Sequence, residues 1–285
     1  MTVSACRKSL TQRLAPIADD CAGVEAEMIL LAVMGCSRSF LYTYPDRIID
    51  SDLQMRIDGI ADRRMQGEPL QYILGSASFM GLEFIVRPGV LIPRRDTEIL
   101  VENALPYCAG KRVLDLCTGS GCIGIAVARL GTPVSVALSD VSPDALAIAG
   151  ENAKKHNVAL RFYQGDFLQA IPEGEKFDVL LSNPPYITTE EMKMLPLDVR
   201  LHEPELALKA GSDGLDAYRA ILQDVSRVLV PGGYLFFEIG YAQGDAVQTL
   251  LTVHGFQDVA VVQDYGGQDR VVQGRLKCVE IGCET

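Results

Sequence analysis

The sequence predicts an α/β fold in which a largely parallel sheet follows a small N-terminal helical domain. From Lys111 onward, apolar runs of strand length alternate with amphipathic stretches of helix length, which indicates a parallel sheet covered by helices on both faces. A glycine-rich turn joins the first of these strands to the first helix. Before residue 76 the apolar residues recur only at helical spacing, so that segment is expected to be helical.

Length and composition describe a globular protein that can bury a sizeable core. The chain has 285 residues, of which 48% are hydrophobic and 22% charged, so two domains are feasible. The net charge of −11 argues against a large nucleic-acid interface, because phosphate binding needs clustered Lys and Arg. The eight cysteines contain no CxxC pair and only three histidines accompany them, so we expect reduced thiols, no metal site and a cytoplasmic location. No apolar run near the N-terminus is long enough to span a bilayer.

The segment 1–75 is expected to be a domain of short helices. Leu10, Leu14 and Ile17 share one helical face, and a second apolar stretch ends at Gly35, a residue typical of helix C-termini. Ile48 to Met65 repeats the helical spacing. The charged residues of this segment either form a solvated face or dock a partner, and both interpretations stay open.

Residues 76–90 are expected to link the two domains, leaving 91–285 as the second domain. Phe79 to Val86 surround Gly81 and predict a β-hairpin. A helix is expected from about Thr97 to Leu105, with Thr97 or Asp96 as its N-cap.

The remaining elements follow in alternation. Strands are expected at 112–116, 134–139, 160–164, 179–182, 234–239, 259–263 and 270–276, and helices at 121–130, 143–156, 217–229 and 243–253. Ser142 is the expected N-cap before Pro143. Pro231-Gly232-Gly233 is expected to be a turn. The last two strands have no helix between them, so we expect them to pair antiparallel through a turn at Tyr265-Gly266-Gly267.

The loop after the first strand is suited to a nucleotide-like ligand. It runs through Cys117, Thr118, Gly119, Ser120 and Gly121, and Gly124 completes a glycine frame between strand and helix. Glycine lets the backbone approach a ligand, while the helix N-terminus favours negative charge. NAD, FAD and S-adenosylmethionine sites share this feature, so the loop does not choose among them.

Acidic residues end the next two strands. Asp140 can accept both hydroxyls of a ribose, or it can simply cap the following loop. Asp166 can bind an adenine amino group, and Phe167 can either flank the base or belong to the core.

Asn183-Pro184-Pro185-Tyr186 ends the fourth strand. Two prolines cannot continue a ladder, so the strand stops and a stiff loop presents an amide, free carbonyls and an aromatic ring at the ligand-binding edge. Alone, this tetrapeptide is as consistent with a plain turn as with a site.

Taken together, the glycine loop, Asp140 and the Asn-Pro-Pro-Tyr loop resemble class I (Rossmann-like) S-adenosylmethionine-dependent methyltransferases that alkylate planar nitrogens. Further motifs extend over nearly the whole chain: 69–75 (PLQYILG), 91–94 (LIPR), 96–98 (DTE), 115–121 (DLCTGSG), 182–187 (SNPPYI), 203–208 (EPELAL), 238–240 (EIG) and 269–272 (DRVV). With these motifs the chain resembles the HemK/PrmC family, the protein-(glutamine-N5) methyltransferases of class I peptide chain release factors. Ala210 departs from the family pattern, where a glycine is common.

The resemblance implies that the helical segment recognises the release factor. It implies that Cys117 to Gly121, Asp140, Phe167 and Asn183 contact S-adenosylmethionine, and that Asn183 to Tyr186 hold the glutamine of the Gly-Gly-Gln motif. The Asn183 oxygen and the Pro184 carbonyl can then each accept one amide hydrogen, while Tyr186 stacks on the amide. An adenine-N6 nucleic-acid methyltransferase and a non-catalytic cofactor-binding module remain as alternatives. Gly266-Gly267-Gln268 repeats the substrate tripeptide and is expected to be a turn.

Overall fold

The computed structural model describes residues 1–278, so Cys283 and the end of the second expected domain at 285 lie outside the described residues. The chain forms two compact units. The first contains Met1–Ser76 together with Pro196–His202, and the second contains Ala77–Leu195 and the chain from Glu203 onward. A short segment that is distant in sequence therefore joins the first unit.

The first unit is helical, as the sequence predicts. Its helices are α1 (Val3–Ala18), α2 (Ala22–Met34), α3 (Arg38–Thr43), α4 (Ser51–Met65) and α5 (Leu70–Leu74), and α9 (Leu197–His202) belongs to it as well. The side chains of Thr2 and Asp50 cap α1 and α4, and Gly35 ends α2 in the left-handed conformation. Apolar faces of these helices, including Leu14, Ile29 and Ile57, form a separate core.

The second unit begins with the predicted hairpin. Strands β1 (Ser76–Phe79) and β2 (Leu82–Ile85) are joined at Met80 and Gly81, whose φ values of 51° and 71° are those of a tight hairpin turn.

A seven-stranded sheet forms the centre of this unit. Its strand order is β5-β4-β3-β6-β7-β9-β8, and β9 runs antiparallel to both of its neighbours, as expected for the last two strands. The strands are β3 (Arg112–Leu116), β4 (Ser135–Asp140), β5 (Arg161–Gln164), β6 (Phe177–Ser182), β7 (Leu229–Glu238), β8 (Phe256–Gln263) and β9 (Asp269–Leu276). The helices of this unit are α6 (Asp96–Cys108), α7 (Cys122–Leu130), α8 (Pro143–Lys155), α10 (Asp216–Val228) and α11 (Gly244–Val253).

Two local predictions were wrong. Pro231-Gly232-Gly233 is not a turn but part of β7, which begins at Leu229 and pairs with β6 through a register shift. That irregularity accommodates proline and the positive φ of Gly232 within a strand. The cap of α6 also differs, because Arg95 precedes the helix without a capping side chain and Thr97 is buried inside its first turn.

The register of the parallel strands aligns their carboxyl ends. Leu116 pairs with Ser139 on one side and with Ser182 on the other, and Ser182 pairs with Phe237. The loops after β3, β4, β6 and β7 therefore leave the same edge of the sheet. Within residues 1–278, no helix combines the length and apolar character that a bilayer crossing needs.

Candidate functional site

A cavity of about 270 Å³ lies at this edge of the sheet, within the second unit. Loops that follow four neighbouring strands line it, together with the segments before α6 and after Glu203. Its lining includes Val90, Leu91, Arg94, Thr97, Cys117, Thr118, Gly119, Ser120, Cys122, Asp140, Val141, Asp166, Phe167, Asn183, Pro185, Pro204, Leu206, Ala207 and Lys209. The wall is mostly apolar with a few converging polar groups, as in small-molecule sites generally.

Hydrogen bonds to Asp115, a residue of β3, hold the glycine-rich loop between β3 and α7 in place. This buried carboxylate accepts a hydrogen bond from the backbone N–H of Gly124 at 2.9 Å and another from the Thr118 hydroxyl. Burial, more than any neighbouring charge, raises the pKa of Asp115 to about 7. The loop is thereby fixed in shape before any ligand arrives.

Two glycines in this loop are required by geometry. Gly121 precedes α7 with φ at 82°, and a Cβ there would lie 3.0 Å from Ala149. A Cβ on Gly124 would lie 2.2 Å from Leu138, because α7 packs closely on the sheet. Gly121 is not part of the cavity lining within the described residues, so it shapes the loop without facing the space.

Asp140 ends β4 and faces the cavity beside this loop. One of its carboxyl oxygens accepts the Gly119 N–H and the other accepts the Ser142 N–H, both at 2.9 Å. Burial raises the pKa of Asp140, and these backbone hydrogen bonds oppose the rise. Each oxygen keeps a further lone pair, so the carboxylate can both hold the loop and accept hydroxyls from a ligand.

Phe167 and Asp166 lie beyond β5. Phe167 has a φ of 40°, an uncommon value for a non-glycine residue, and both side chains line the cavity. Phe167 also packs against the apolar core, which agrees with one of the two alternatives that the sequence left open, and its contact with a base stays a prediction.

Asn183 follows β6 at the opposite part of the cavity. Its side-chain Nδ2 donates to the Thr97 hydroxyl oxygen at 3.3 Å. The neighbouring Ser182 hydroxyl donates to the Leu116 carbonyl at 2.7 Å and so fixes the end of the strand to β3. Because that bond uses the amide nitrogen, the amide oxygen remains an acceptor, and Asn183 lines the cavity.

The other three residues of this loop differ in position. Pro185 lines the cavity, whereas Pro184 is buried. Tyr186 packs its ring against the core and donates its hydroxyl to Glu238 at 3.4 Å. Burial and the Glu238 charge raise the pKa of Tyr186. Neither Pro184 nor Tyr186 is part of the cavity lining in the described structure.

Three further residues belong to the site, and the sequence assigned none of them a role there, although it offered Thr97 as a possible helix cap. Arg94 lines the cavity and pairs with Glu203, a carboxylate with only 1% of its side chain exposed. Thr97 holds Asn183. All three belong to motifs that carried the family resemblance, but only the resemblance drew attention to them, because nothing local in their spacing indicates a site.

Comparisons with known proteins agree with this architecture. Residues 5–75 match the description "PrmC N-terminal domain", and residues 84–211 match "Methyltransferase small domain". The chain is 42% identical to a release factor glutamine methyltransferase of Geobacter sulfurreducens, over 90% of each chain. It is 39% identical to the protein of that name from Vibrio cholerae, over 97% of this chain and 98% of the relative.

Solved structures share the fold at lower identity. A methyltransferase from Pyrococcus furiosus superposes with a TM-score of 0.55 at 16% identity, over 78% of this chain and all of that one. The 16S rRNA N2 G1207 methyltransferase of T. thermophilus, solved with AdoMet and guanosine, has a TM-score of 0.51 at 19% identity, over 71% of this chain and 50% of that one. These similarities establish the fold and nothing finer.

Proposed function

This chain belongs to the release factor glutamine methyltransferase family, and on that premise we propose its reaction. It transfers a methyl group from S-adenosylmethionine to the side-chain amide nitrogen (N5) of the glutamine in the Gly-Gly-Gln motif of class I peptide chain release factors. The observation that carries the proposal is the position of Asn183, which lines the cavity at the end of β6 with its amide nitrogen bonded to the Thr97 hydroxyl. An acceptor there suits a substrate that must be held by its N–H groups.

The cavity fits S-adenosylmethionine. Asp140 offers carboxylate lone pairs for the ribose hydroxyls. The ligand can approach the backbone of Cys117, Thr118, Gly119 and Ser120 closely. Phe167 and Val141 provide an apolar surface beside the base. Gly119 supports this assignment because it adopts a φ of 54° and a Cβ there would meet nothing within 4 Å, so the space above the loop is open. Gly121 acts indirectly by shaping the turn.

The chain's own residues act on the amide nucleophile. A carboxamide nitrogen is weakly nucleophilic because its lone pair is delocalised into the carbonyl. The Asn183 oxygen accepts one N–H, which fixes the nitrogen and favours a pyramidal geometry. Acceptance of the other N–H by the Pro184 carbonyl stays a prediction, because Pro184 is buried and outside the cavity lining in the described structure. When bound, S-adenosylmethionine supplies an electrophilic methyl on its sulfonium. The amide nitrogen held by this loop would take that methyl as the S–C bond breaks, which would leave S-adenosylhomocysteine, and the nitrogen would give its extra proton to solvent.

Pro185 and Tyr186 complete the loop. Pro185 contributes apolar wall, and the two prolines keep the backbone carbonyls free. Tyr186 holds the loop to the sheet through Glu238 and through Gln243, which donates to the Tyr186 carbonyl at 3.0 Å. Stacking of Tyr186 on the substrate amide stays a prediction.

We assign recognition of the release factor to the helical domain of residues 1–75, with 76–90 as linker and 91–285 as the catalytic domain. The helical unit has its own core and its own ion pairs. It lacks the glycine loop and the Asn-Pro-Pro-Tyr loop, so its contribution is expected to be binding rather than chemistry.

The proposed activity is tested by transfer of labelled methyl from S-adenosylmethionine to a purified class I release factor. The matched control is the same factor with its Gly-Gly-Gln glutamine replaced by alanine, which should receive no label. Adenine-containing DNA and RNA oligonucleotides are assayed in parallel to test the alternative function, adenine-N6 methylation of nucleic acid. Label on the oligonucleotides but not on the factor would reject the proposal.

A further inference from the structure

Gln243, directly before α11, bonds to two stretches of backbone beside the Asn-Pro-Pro-Tyr loop. Its side-chain Nε2 donates to the Tyr186 carbonyl at 3.0 Å and to the Gly214 carbonyl at 3.3 Å. Its Oε1 accepts the backbone N–H of Gly240 at 3.0 Å. A primary amide has two N–H donors and one oxygen. The amide can satisfy two carbonyls and one N–H in one orientation only, so its place is well defined.

Two glycines allow the backbone to come this close to the amide. A Cβ on Gly214, which has a φ of 74°, would lie 2.4 Å from the Tyr186 carbonyl oxygen and 2.5 Å from the Gln243 Nε2. A Cβ on Gly240 would lie 3.2 Å from the Gln243 Oε1. Glycine at both positions therefore lets three separate segments of the chain meet on one side chain.

Tyr186 and Gly214 lie at the two ends of a long connection between β6 and α10. This connection contributes part of the cavity wall, including Pro204 and Lys209, and Asn183 lines the cavity just before it begins. The two prolines that follow Asn183 have no backbone N–H to donate. One side-chain amide thus joins the start of the connection to its end, where the Asn-Pro-Pro-Tyr loop leaves the sheet.

We propose that Gln243 is a positioning residue for methyl transfer, whose NH₂ group bridges the Tyr186 and Gly214 carbonyls and so sets the place of the Asn-Pro-Pro-Tyr loop. This inference rests on the proposed function, because that function assigns the loop to the substrate glutamine. Gln243 acts through the loop, since it is not itself part of the cavity lining within residues 1–278. A displacement of reacting groups by about 1 Å can cost roughly 10²-fold in rate, so a remote hold on the loop affects the chemistry.

Variants of the full-length protein separate the hydrogen bonds of Gln243 from its volume. Gln243→Glu keeps the shape and the acceptor for Gly240, but it turns an anionic oxygen toward two carbonyl oxygens. Gln243→Met keeps a similar volume and removes the hydrogen bonds without adding charge. Gln248→Glu is the matched control, because Gln248 lies on the same helix, is also partly exposed and donates its Nε2 to the Val259 carbonyl at 3.2 Å. Melting temperatures of all variants are recorded.

Gln243→Glu and Gln243→Met should each lower single-turnover transfer to the release factor by roughly 10–100-fold at saturating substrates. S-adenosylmethionine affinity should change by less than about threefold, because Gln243 makes no hydrogen bond to Asp140, Phe167 or the glycine-rich loop within the described residues. Gln248→Glu should stay within about twofold of wild type. Rates within about twofold of wild type for both Gln243 variants, or equal losses of rate and cofactor affinity, would overturn the positioning role.

The pH dependence of Gln243→Glu gives a readout that a loss of stability alone would not produce. A protonated carboxyl group has an O–H donor and a carboxylate has none. The facing carbonyl oxygens disfavour the charged form, which raises the pKa of the introduced carboxyl group. The ratio of the Gln243→Glu rate to the wild-type rate should therefore rise as the pH falls from about 8 to about 6.

The same ratio for Gln243→Met should stay constant, and division by the wild-type rate removes the titration of groups that both proteins share. Tyr218, whose hydroxyl lies 3.4 Å from the Gln243 Oε1, does not titrate in this range, because burial raises its pKa well above the ordinary value. A Gln243→Glu ratio that does not change with pH would contradict the bridging role of the NH₂ group.

Amide hydrogen exchange tests the hold on the connection without any methyl transfer. The Ile187 N–H, directly after Tyr186, donates to the Leu208 carbonyl at 2.9 Å. This amide should exchange faster in both Gln243 variants and at the wild-type rate in Gln248→Glu. Unchanged exchange in the Gln243 variants would also overturn the positioning role. Absence of transfer by the wild-type protein would reject the proposed function, while the exchange rates would still decide whether Gln243 holds this segment.

Discussion

Glu203 accepts hydrogen bonds from the Arg94 guanidinium and from the backbone N–H of Ile92, and so joins two segments of the cavity wall that are far apart in sequence. The segment after Glu203 contributes Pro204, Leu206 and Ala207 to the lining. This carboxylate therefore determines where one side of the cavity lies.

Replacing Glu203 with alanine should weaken S-adenosylmethionine binding. The change leaves the Ile92 N–H without its acceptor and frees the lining segment, at a cost of about 1–3 kcal/mol. Isothermal titration calorimetry measures the affinity. Glu203→Gln keeps an acceptor and should lose less, and Glu205→Ala, which removes an exposed pair with Lys209, should have little effect. Equal affinities for the Glu203 and Glu205 alanine variants would show that the wall holds without this link.

Asp140→Ala should also weaken cofactor affinity, by about 1–3 kcal/mol. The structure gives this residue two tasks, since its carboxylate fixes the Gly119 and Ser142 N–H groups and faces the cavity. Asp140→Asn keeps one oxygen acceptor and should bind with intermediate affinity. Asp224→Ala on α10 serves as the control, because Asp224 is not part of the cavity lining. Unchanged affinity in Asp140→Ala would leave Asp140 as a loop cap only.

Asn183→Ala should lower single-turnover methyl transfer by roughly 10²–10³, the scale for removing one preorganised polar partner. Asn183→Asp retains an oxygen acceptor in nearly the same volume and should keep more activity than alanine. Cofactor affinity should fall less than the rate. The measurement uses saturating S-adenosylmethionine. An alanine variant within a few-fold of wild type would remove Asn183 from the mechanism.

Arg64→Ala should impair use of the release factor while sparing cofactor binding. Arg64 makes two hydrogen bonds to Glu25, at 2.9 and 3.1 Å, and lies 3.6 Å from Asp198, so it holds α2, α4 and α9 together. Breaking such a buried pair costs about 3–5 kcal/mol. Hydrogen exchange in α2 should accelerate, and kcat/KM for the release factor should fall.

The adjacent residue offers the control for that experiment. Arg63 makes an exposed pair with Glu68, so Arg63→Ala should change stability by less than about 1 kcal/mol. If Arg64→Ala loosened the helices yet left kcat/KM for the release factor unchanged, the docking role of the helical domain would be wrong.

Stability should decrease as the pH rises from 5 to 8, and Asp115 should account for part of that change. Burial raises its pKa in the folded protein to about 7 from an ordinary value of 3.8. The folded state therefore binds the proton more tightly than the unfolded state, and this stabilisation is lost as the pH rises through about 7. The effect is roughly 1–4 kcal/mol, since one pKa unit corresponds to about 1.4 kcal/mol.

Asp115→Asn isolates this contribution, because an amide can still accept the Gly124 N–H but cannot ionise. Urea unfolding of the two proteins at several pH values between 5 and 8 should show a shallower decline for the variant. Parallel curves would mean that Asp115 does not change its protonation over this range.

The sequence by itself determined the local features of the protein. Glycine placement fixed the positive-φ turns at Gly81, Gly119 and Gly121, and apolar runs fixed the seven strands to within a few residues at most ends. The strand β7 was the exception, because Pro231-Gly232-Gly233 has the local sequence of a turn. The strand pairs with β6 at Leu229 and again from Tyr234, so this segment lies at an irregularity within the strand. Local patterns carry this information because the backbone conformation of a segment, and the face of it that is buried, depend on residues that are close in the sequence.

Only the tertiary structure decided which side chains meet. Thr97 and Asn183 are 86 residues apart, and in the sequence Thr97 resembled a helix cap. The ion pair of Arg94 with Glu203, the buried position of Glu238 and the membership of Pro196–His202 in the helical unit are equally non-local. Strand order and helix packing set these contacts, and a single sequence records which faces are apolar but not which faces are brought together.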